Sequence, residues 1–179
     1  MEKIKQLSDD VYEQIKDFDH DNLTKEQKSL IDKLIPSGEL KHYYRRYGLC
    51  NKCKHIKNYT KCWCRICSFQ RNFKNWTSGN NDVDNFIQKA QLRATGVFEV
   101  LEWIEHDRFE NIEYLAEGGF GTVYKAIWKD GLIEEWDSKN NQWKRDHRKN
   151  FPVALKCLHN SQNITVEFLK EVRWFVYYF

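Results

Sequence analysis

The sequence predicts an α+β chain: a helical and Cys-rich N-terminal half, then an antiparallel sheet that ends on the start of a helix. Three observations predict it. A helix-capping signal followed by a short apolar stripe occupies residues 24–34. Five of the six cysteines fall within residues 50–67. From Phe109 onward, apolar runs alternate with Gly and Asp-Gly turn signals.

The elements follow in order. Residues 1–48 read as a helical segment. Thr24-Lys25-Glu26-Gln27 is a capping box, Leu30, Ile31 and Leu34 form the stripe behind it, and Pro36 stops the helix. A second short helix is expected over residues 37–47, with Gly48 suited to a left-handed cap. Residues 49–76 form the Cys-rich module, which shows little periodicity of its own. Residues 77–108 read as a linker. Trp76-Thr77-Ser78-Gly79-Asn80-Asn81 is turn chemistry. Val83, Phe86, Ile87 and Ala90 then recur at helical spacing behind Asp82. Residues 97–104 read as extended, with Trp103 as a packing anchor.

Residues 109–179 use strand and turn language. Residues 109–115 and 122–129 are strand candidates around Glu117-Gly118-Gly119-Phe120-Gly121. Asp130-Gly131 signals a two-residue hairpin, with residues 132–136 returning. Asn140-Asn141 marks a turn, residues 142–145 a short strand, and residues 146–150 a charged loop. Val153-Ala154-Leu155-Lys156-Cys157-Leu158 reads as a buried strand, Cys157 included. Residues 165–172 start a helix, with Phe168, Leu169 and Val172 on one face.

Composition narrows the function classes. Charged residues make up 31% of 179 and mean hydropathy is −0.79, so the chain is expected to be water-soluble. No apolar run approaches the roughly 20 residues of a membrane-spanning helix. No apolar signal region follows Met1, so a cytoplasmic location and no membrane partner are expected. The net charge of +3 hides a segregation. Residues 41–76 carry ten Lys or Arg and no Asp or Glu, while both flanks are net acidic. Tyr43, Tyr44, Tyr47, Tyr59, Trp63, Phe69, Phe73 and Trp76 are interleaved with those cations. Basic side chains attract phosphate and rings stack on bases, so this segment raises nucleic acid as a partner. The plainer alternative is a basic surface neutralised by the acidic flanks.

Cys50-x-x-Cys53 and Cys64-x-x-Cys67 are two close pairs ten residues apart. Each pair presents two thiolates from one tight turn, and two such knuckles complete a tetrahedral zinc site. Cys62 is an alternative to Cys64, and His55 an alternative to a thiol. Reduced core thiols, or redox chemistry, are the rival readings. With zinc, Trp63, Ile66 and Phe69 would pack the small core of a zinc-ribbon-like module.

A glycine-rich turn between strands lets backbone amides approach phosphates, since no Cβ intervenes. An ordinary hairpin turn is its simplest alternative. Here Val123 follows closely, Lys156 ends an apolar strand, and Glu171 on the next helix offers Lys156 a partner. Leu115-Ala116-Glu117-Gly118-Gly119-Phe120-Gly121-Thr122-Val123, Val153-Ala154-Leu155-Lys156 and Phe168-Leu169-Lys170-Glu171-Val172 together resemble the opening of a eukaryotic-type protein kinase domain. The chain is similar to the small lobe, cut after its C-helix. The resemblance implies that residues 115–123 cover the ATP phosphates and that Val123 and Ala154 sandwich the adenine. It implies that Lys156 contacts the α- and β-phosphates and that Glu171 orients Lys156. The Cys pairs followed by Phe73-Lys74-Asn75-Trp76-Thr77-Ser78-Gly79-Asn80 also resemble a large fungal group of tyrosine-kinase-like kinases.

Three departures qualify what the resemblance implies. Ala116 stands where the family has its first glycine. Residues 130–152 extend the connection to the lysine strand, and Trp136 and Trp143 there hint at a partner site. Neither His-Arg-Asp nor Asp-Phe-Gly occurs, and the sequence stops eight residues after Glu171. The family transfers phosphate from ATP to protein Ser, Thr or Tyr; this chain is expected to lack that activity and to bind ATP weakly. Residues 174–179 would be an aggregation hazard if exposed.

Overall fold

Ser8, Thr24, Ser37 and Asn80 each accept a backbone N–H two or three residues on, and a helix begins at each. The computed structural model describes residues 7–57, 63–94, 99–119, 121–146 and 151–159. Among them are five α-helices: α1 (Asp9–Ile15), α2 (Lys25–Leu34), α3 (Gly38–Tyr47), α4 (Arg65–Asn72) and α5 (Asn81–Arg93). The expected capping box is present with both bonds. Thr24 N–H donates to Gln27 Oε1 at 2.9 Å, and Gln27 N–H to Thr24 Oγ1 at 3.2 Å. Ile35 has already turned extended, as the residue before a proline must. Helix α4 is hidden in the Cys-rich stretch, because it is only eight residues long and its start, at Cys64, has no capping side-chain hydrogen bond.

Two main cores result. Helices α1 to α3 bury Ile15, Ile31, Ile35 and Tyr44, and Ile56 from the first cysteine loop joins them. Inside this core, Tyr44 Oη donates to the Ile15 carbonyl at 3.0 Å. Burial pushes the Tyr44 phenol up to about 12. Gly48 sits at φ +70°, and a Cβ there would lie 2.8 Å from the His20 ring. The second core gathers Phe69 of α4, Ala94, Val100 and Ile133, with Trp143 packed against them. Val83 and Ile87 of α5 form a smaller cluster with Trp76 and Leu101.

The expected anchor Trp103 is instead 38% exposed, with its Nε1 donating to Glu105. Extended backbone alternates sides. Val100 and Glu102 take the inward positions, so Trp103 faces out.

The chain has five described strands: β1 (Phe109–Gly118), β2 (Gly121–Trp128), β3 (Ile133–Asp137), β4 (Gln142–Arg145) and β5 (Phe151–Leu158). The order β1–β2–β5 makes one antiparallel sheet, and β3–β4 a separate hairpin. Asp130-Gly131 therefore does not turn β2 back on itself. Strand β5 occupies that edge of β2 along its whole length, from Gly121↔Leu158 to Trp128↔Phe151. Gly131, at φ +67°, swings the chain out of the sheet, where a Cβ would lie 2.1 Å from the Asp146 carbonyl oxygen. Arg108 fixes the corner by pairing with Asp130.

The released hairpin lands on α4. Trp143 packs against Phe69 at a tilt, with ring centroids 4.7 Å apart, and Trp136 meets Trp143 at 4.9 Å. The two tryptophans that hinted at a partner thus have each other and α4 as neighbours.

Strand β5 is not the buried strand expected. Pro152, Lys156 and Cys157 are exposed and its apolar residues half-buried. On β1, Tyr114 and Leu115 are exposed as well. The expected helix over residues 165–172, and residues 174–179, lie outside the described residues. Among those described, no helix is long and apolar enough to cross a membrane.

One ion pair ties the irregular strand before β1 to the hairpin. Arg145 donates to both oxygens of Glu102 and to the Gly131 carbonyl, and its guanidinium lies 5.6 Å from the centre of the Trp128 ring. Burial raises the Glu102 carboxyl above its ordinary range, and Arg145 offsets part of that rise. The folded state therefore holds a proton on Glu102 more readily than the unfolded chain does. This group's stabilisation is full below the ordinary carboxylate range and falls as pH rises through the folded value. Glu102→Gln should remove that component of the pH dependence. Glu102→Ala should cost about 1.5–3 kcal/mol in urea unfolding, as a charge-assisted hydrogen bond is lost.

Candidate metal centre

The first cysteine pair sits on a tight loop that grows directly out of α3. Leu49 and Ile56 form an antiparallel bridge. Within it, Cys50 N–H donates to the His55 carbonyl and Lys54 N–H to the Cys50 carbonyl, both at 2.9 Å. Lys54 takes φ +60° to close the turn. Leu49 and Ile56 pack into the first core, so the loop's base is fixed.

The second pair opens α4. Cys64 is the residue before the first helical turn, and Cys67 lies one turn on, against the same end. Ser68 ties that turn down by donating Oγ to the Cys64 carbonyl at 3.0 Å. Phe69 anchors the helix in the second core.

The two loops face each other. Sulfurs of Cys50, Cys53, Cys64 and Cys67 all lie within 4.8 Å of one another. Cys53 to Cys64 is 3.5 Å and Cys50 to Cys67 is 3.7 Å. All four are free thiols rather than disulfides. Zn–S bonds of about 2.3 Å set the edges of a regular S4 tetrahedron at about 3.8 Å. The cluster can therefore hold a metal ion such as zinc with little rearrangement.

Electrostatics fit that chemistry. The hydrogen bond shared by Cys53 and Cys64 lowers Cys64 to about 5 and pushes Cys53 up. Burial raises Cys67 to about 12. A cation at the cluster would draw the thiol protons off.

His55 is not part of the cluster: its Nδ1 lies 2.7 Å from the Cys53 carbonyl. Cys62 lies outside the described residues. Of the expected packing residues, Phe69 is fully buried, and Trp63 meets Trp143 edge to face at 5.6 Å.

Cys50, Cys64 and Cys67 of the cluster themselves line a cavity of about 260 Å³ that the sequence did not disclose. Lys52, Lys57, Trp63 and Arg71 line it, and the β3–β4 hairpin closes it with Trp136 and Ser138. No local pattern links residue 52 to residue 136; only the docking of the hairpin joins them.

The residues of the glycine-rich motif lie elsewhere, on the three-stranded sheet. Gly118 pairs with Gly121, Ala116 with Val123, Val123 with Lys156, and Lys125 with Ala154. Paired residues share a face, so Val123, Lys125, Ala154 and Lys156 project from one side. Glu117 and Thr122 are partners at the turn, and Leu115 is exposed. A Cβ on Gly121 would lie 2.3 Å from the Cys157 carbonyl oxygen, so this glycine is required by backbone approach alone. Phe120 and Glu171 lie outside the described residues.

No protein-family model matches the chain, and neither a curated protein nor a solved structure matches it. The likeness to a kinase small lobe therefore rests on the chain's own motifs.

An ion held by the four sulfurs should shield them from alkylation. With zinc added, mass mapping after iodoacetamide should find Cys50, Cys53, Cys64 and Cys67 unmodified. The exposed Cys157 should be modified with or without the metal.

Proposed function

We propose that the chain is a binding module stapled by a structural zinc ion on Cys50, Cys53, Cys64 and Cys67. The observation that carries this is the near-tetrahedral spacing of four sulfurs from two loops. Four protein ligands leave no open position for substrate, so the metal's role is structural rather than catalytic. The first loop belongs to one core and the second to the other, so the ion fastens the two together. The cations of residues 41–76 that stay exposed without an ion-pair partner among the described residues, Lys52, Arg71 and Lys74, suit the module to an acidic partner.

Structural zinc contributes about 10–16 kcal/mol of apparent binding energy in small domains. One ligand of four carries roughly a quarter of that, so Cys53→Ser or Cys64→Ser should lower zinc affinity by about 100-fold or more. Free zinc at a thousand times its Kd should add about 4 kcal/mol of stability. For a chain of this size that corresponds to about 8–16 °C in Tm. Metal analysis and melting curves with and without chelator test both. Protein purified without chelator that holds no zinc would sink the reading.

A second reading concerns the sheet. We propose that β1, β2 and β5 are a kinase-type nucleotide-binding sheet, with Gly118, Gly119 and Gly121 toward phosphate and Val123 and Ala154 toward adenine. Lys156 would then meet the α- and β-phosphates. The support is the register, which gathers Val123, Ala154 and Lys156 on one face beside the glycine turn. Phosphoryl transfer is not proposed for this sequence, which contains neither catalytic string. A single sheet face is one wall of a cleft, so MgATP should bind with Kd of about 1 mM or weaker, and Lys156→Ala should abolish what binding there is. Calorimetry giving a micromolar Kd that survives Lys156→Ala would overturn it.

A further inference from the structure

Two close thiol contacts in the cluster cross between its loops. Cys53 on the first loop lies 3.5 Å from Cys64 at the start of α4, and Cys50 lies 3.7 Å from Cys67. Bonded sulfurs stand about 2.05 Å apart, so each pair has to close by about 1.5 Å. Rotation of the two side chains covers a shift of that size.

The sulfurs can also be reached. Cys53, Cys64 and Cys67 are half-buried rather than enclosed. Cys50, Cys64 and Cys67 line the cavity of about 260 Å³, and a reagent little larger than water enters a space of that size. Cys157 differs: it is exposed on β5 and belongs to no such cluster among the described residues.

We propose that the four-cysteine cluster is a site of reversible oxidation by hydroperoxides, in which the disulfides Cys53–Cys64 and Cys50–Cys67 form as the metal is released. The inference rests on the zinc reading and names a chemistry that controls that site. One cluster thiolate attacks a peroxide oxygen, the O–O bond breaks, and hydroxide leaves with its electron pair. The sulfur becomes a sulfenic acid. The facing thiolate attacks that sulfur, the S–S bond forms, and a second hydroxide leaves. Each disulfide thus passes two electrons to one peroxide. Both disulfides together consume two hydrogen peroxide molecules and four protons, and release four waters and one zinc ion.

The crossed pairing decides the consequence. A disulfide within each Cys-x-x-Cys pair would free the loops from each other. Crossed disulfides keep the loop of the first core on the helix of the second, so the ion is lost while the link between the cores stays.

The test uses the full zinc-loaded chain, freed of reductant and titrated with hydrogen peroxide. A chromogenic chelator reads the released zinc, and trypsin without reduction maps the bonds by mass. Cleavage after Arg46, Lys52, Lys54, Lys61, Arg65 and Arg71 puts Cys50, Cys53, Cys64 and Cys67 on four separate peptides. Cys64 shares its peptide with Cys62, and fragment ions separate the two. The Cys62→Ser/Cys157→Ser variant, which keeps the four cluster thiols alone, repeats the map and gives the stoichiometry. The expected links join residues 47–52 to 66–71 and residues 53–54 to 62–65, with one zinc released for every two peroxides consumed. The oxidised zinc-free chain should melt above the reduced zinc-free chain. Dithiothreitol with added zinc should restore the starting metal content.

Disulfides Cys50–Cys53 and Cys64–Cys67 overturn the proposal. So do sulfinic acids at the four positions, zinc retained under excess peroxide, or an oxidised chain that melts no higher than the reduced zinc-free one. Each of those outcomes leaves the zinc reading standing. A chain that never loads zinc sinks both, and metal analysis before peroxide is added shows which has failed.

Discussion

The meeting of two cysteine loops is the constraint on which the rest of the architecture depends. Leu49 and Ile56 root the first loop among α1, α2 and α3, while Phe69 roots the second in a different core. Each core is small, and a chain that divides its apolar residues in this way has little burial energy to spare in either half. Four sulfurs within 4.8 Å concentrate the connection at one point. Crowded thiols can share protons, as Cys53 and Cys64 do, but a divalent ion satisfies all four at once.

The orientation of α4 follows from that point, and much else follows from α4. Because the helix begins at the second cysteine pair, Phe69 faces the core and Arg71 faces water on a neighbouring part of the same surface. The β3–β4 hairpin then has somewhere to dock. Its Trp143 lies on Phe69 and against Trp63, and Ile133 enters the same cluster. Arg145 closes the arrangement by reaching Glu102 and the Gly131 carbonyl together. An insertion that looks like a tolerated surface loop is therefore a packing element. Losing it would expose Phe69 and open the cavity beside the sulfurs.

Legibility in the sequence tracked the range of the interaction responsible. The capping box at Thr24, the short second helix and its Gly48 terminus were readable, because each involves atoms within a few residues. The four cysteines were readable too, since knuckle spacing is a local requirement. Asp130-Gly131 was misread for the opposite reason. Its turn chemistry is local, but which strand pairs with β2 is decided by β5, more than twenty residues away. Cys157 was misplaced by the assumption that an apolar run is buried on both faces, whereas β5 leaves it exposed. Trp103 failed because alternation in an extended segment gave the inward position to Glu102. The cavity had no signature at all, as its walls come from residues 49–71 and 136–138.

Charge carries the last step. Residues 41–76 are uniformly basic in sequence, yet the folded chain sorts those cations into two groups. Lys41, Arg45 and Lys54 meet carboxylates of the preceding helical segment, which explains why the acidic flank and the basic segment coexist without a large exposed field. Exposed pairs of this kind add little stability, so their main effect is to remove charge from the surface. Lys52 and Arg71 escape that neutralisation, and both border the same cavity. The glycine turn and Lys156 lie on a separate sheet, and the residues of neither site line the other. The two sites are built by unrelated devices, so one can be altered while the other is left intact.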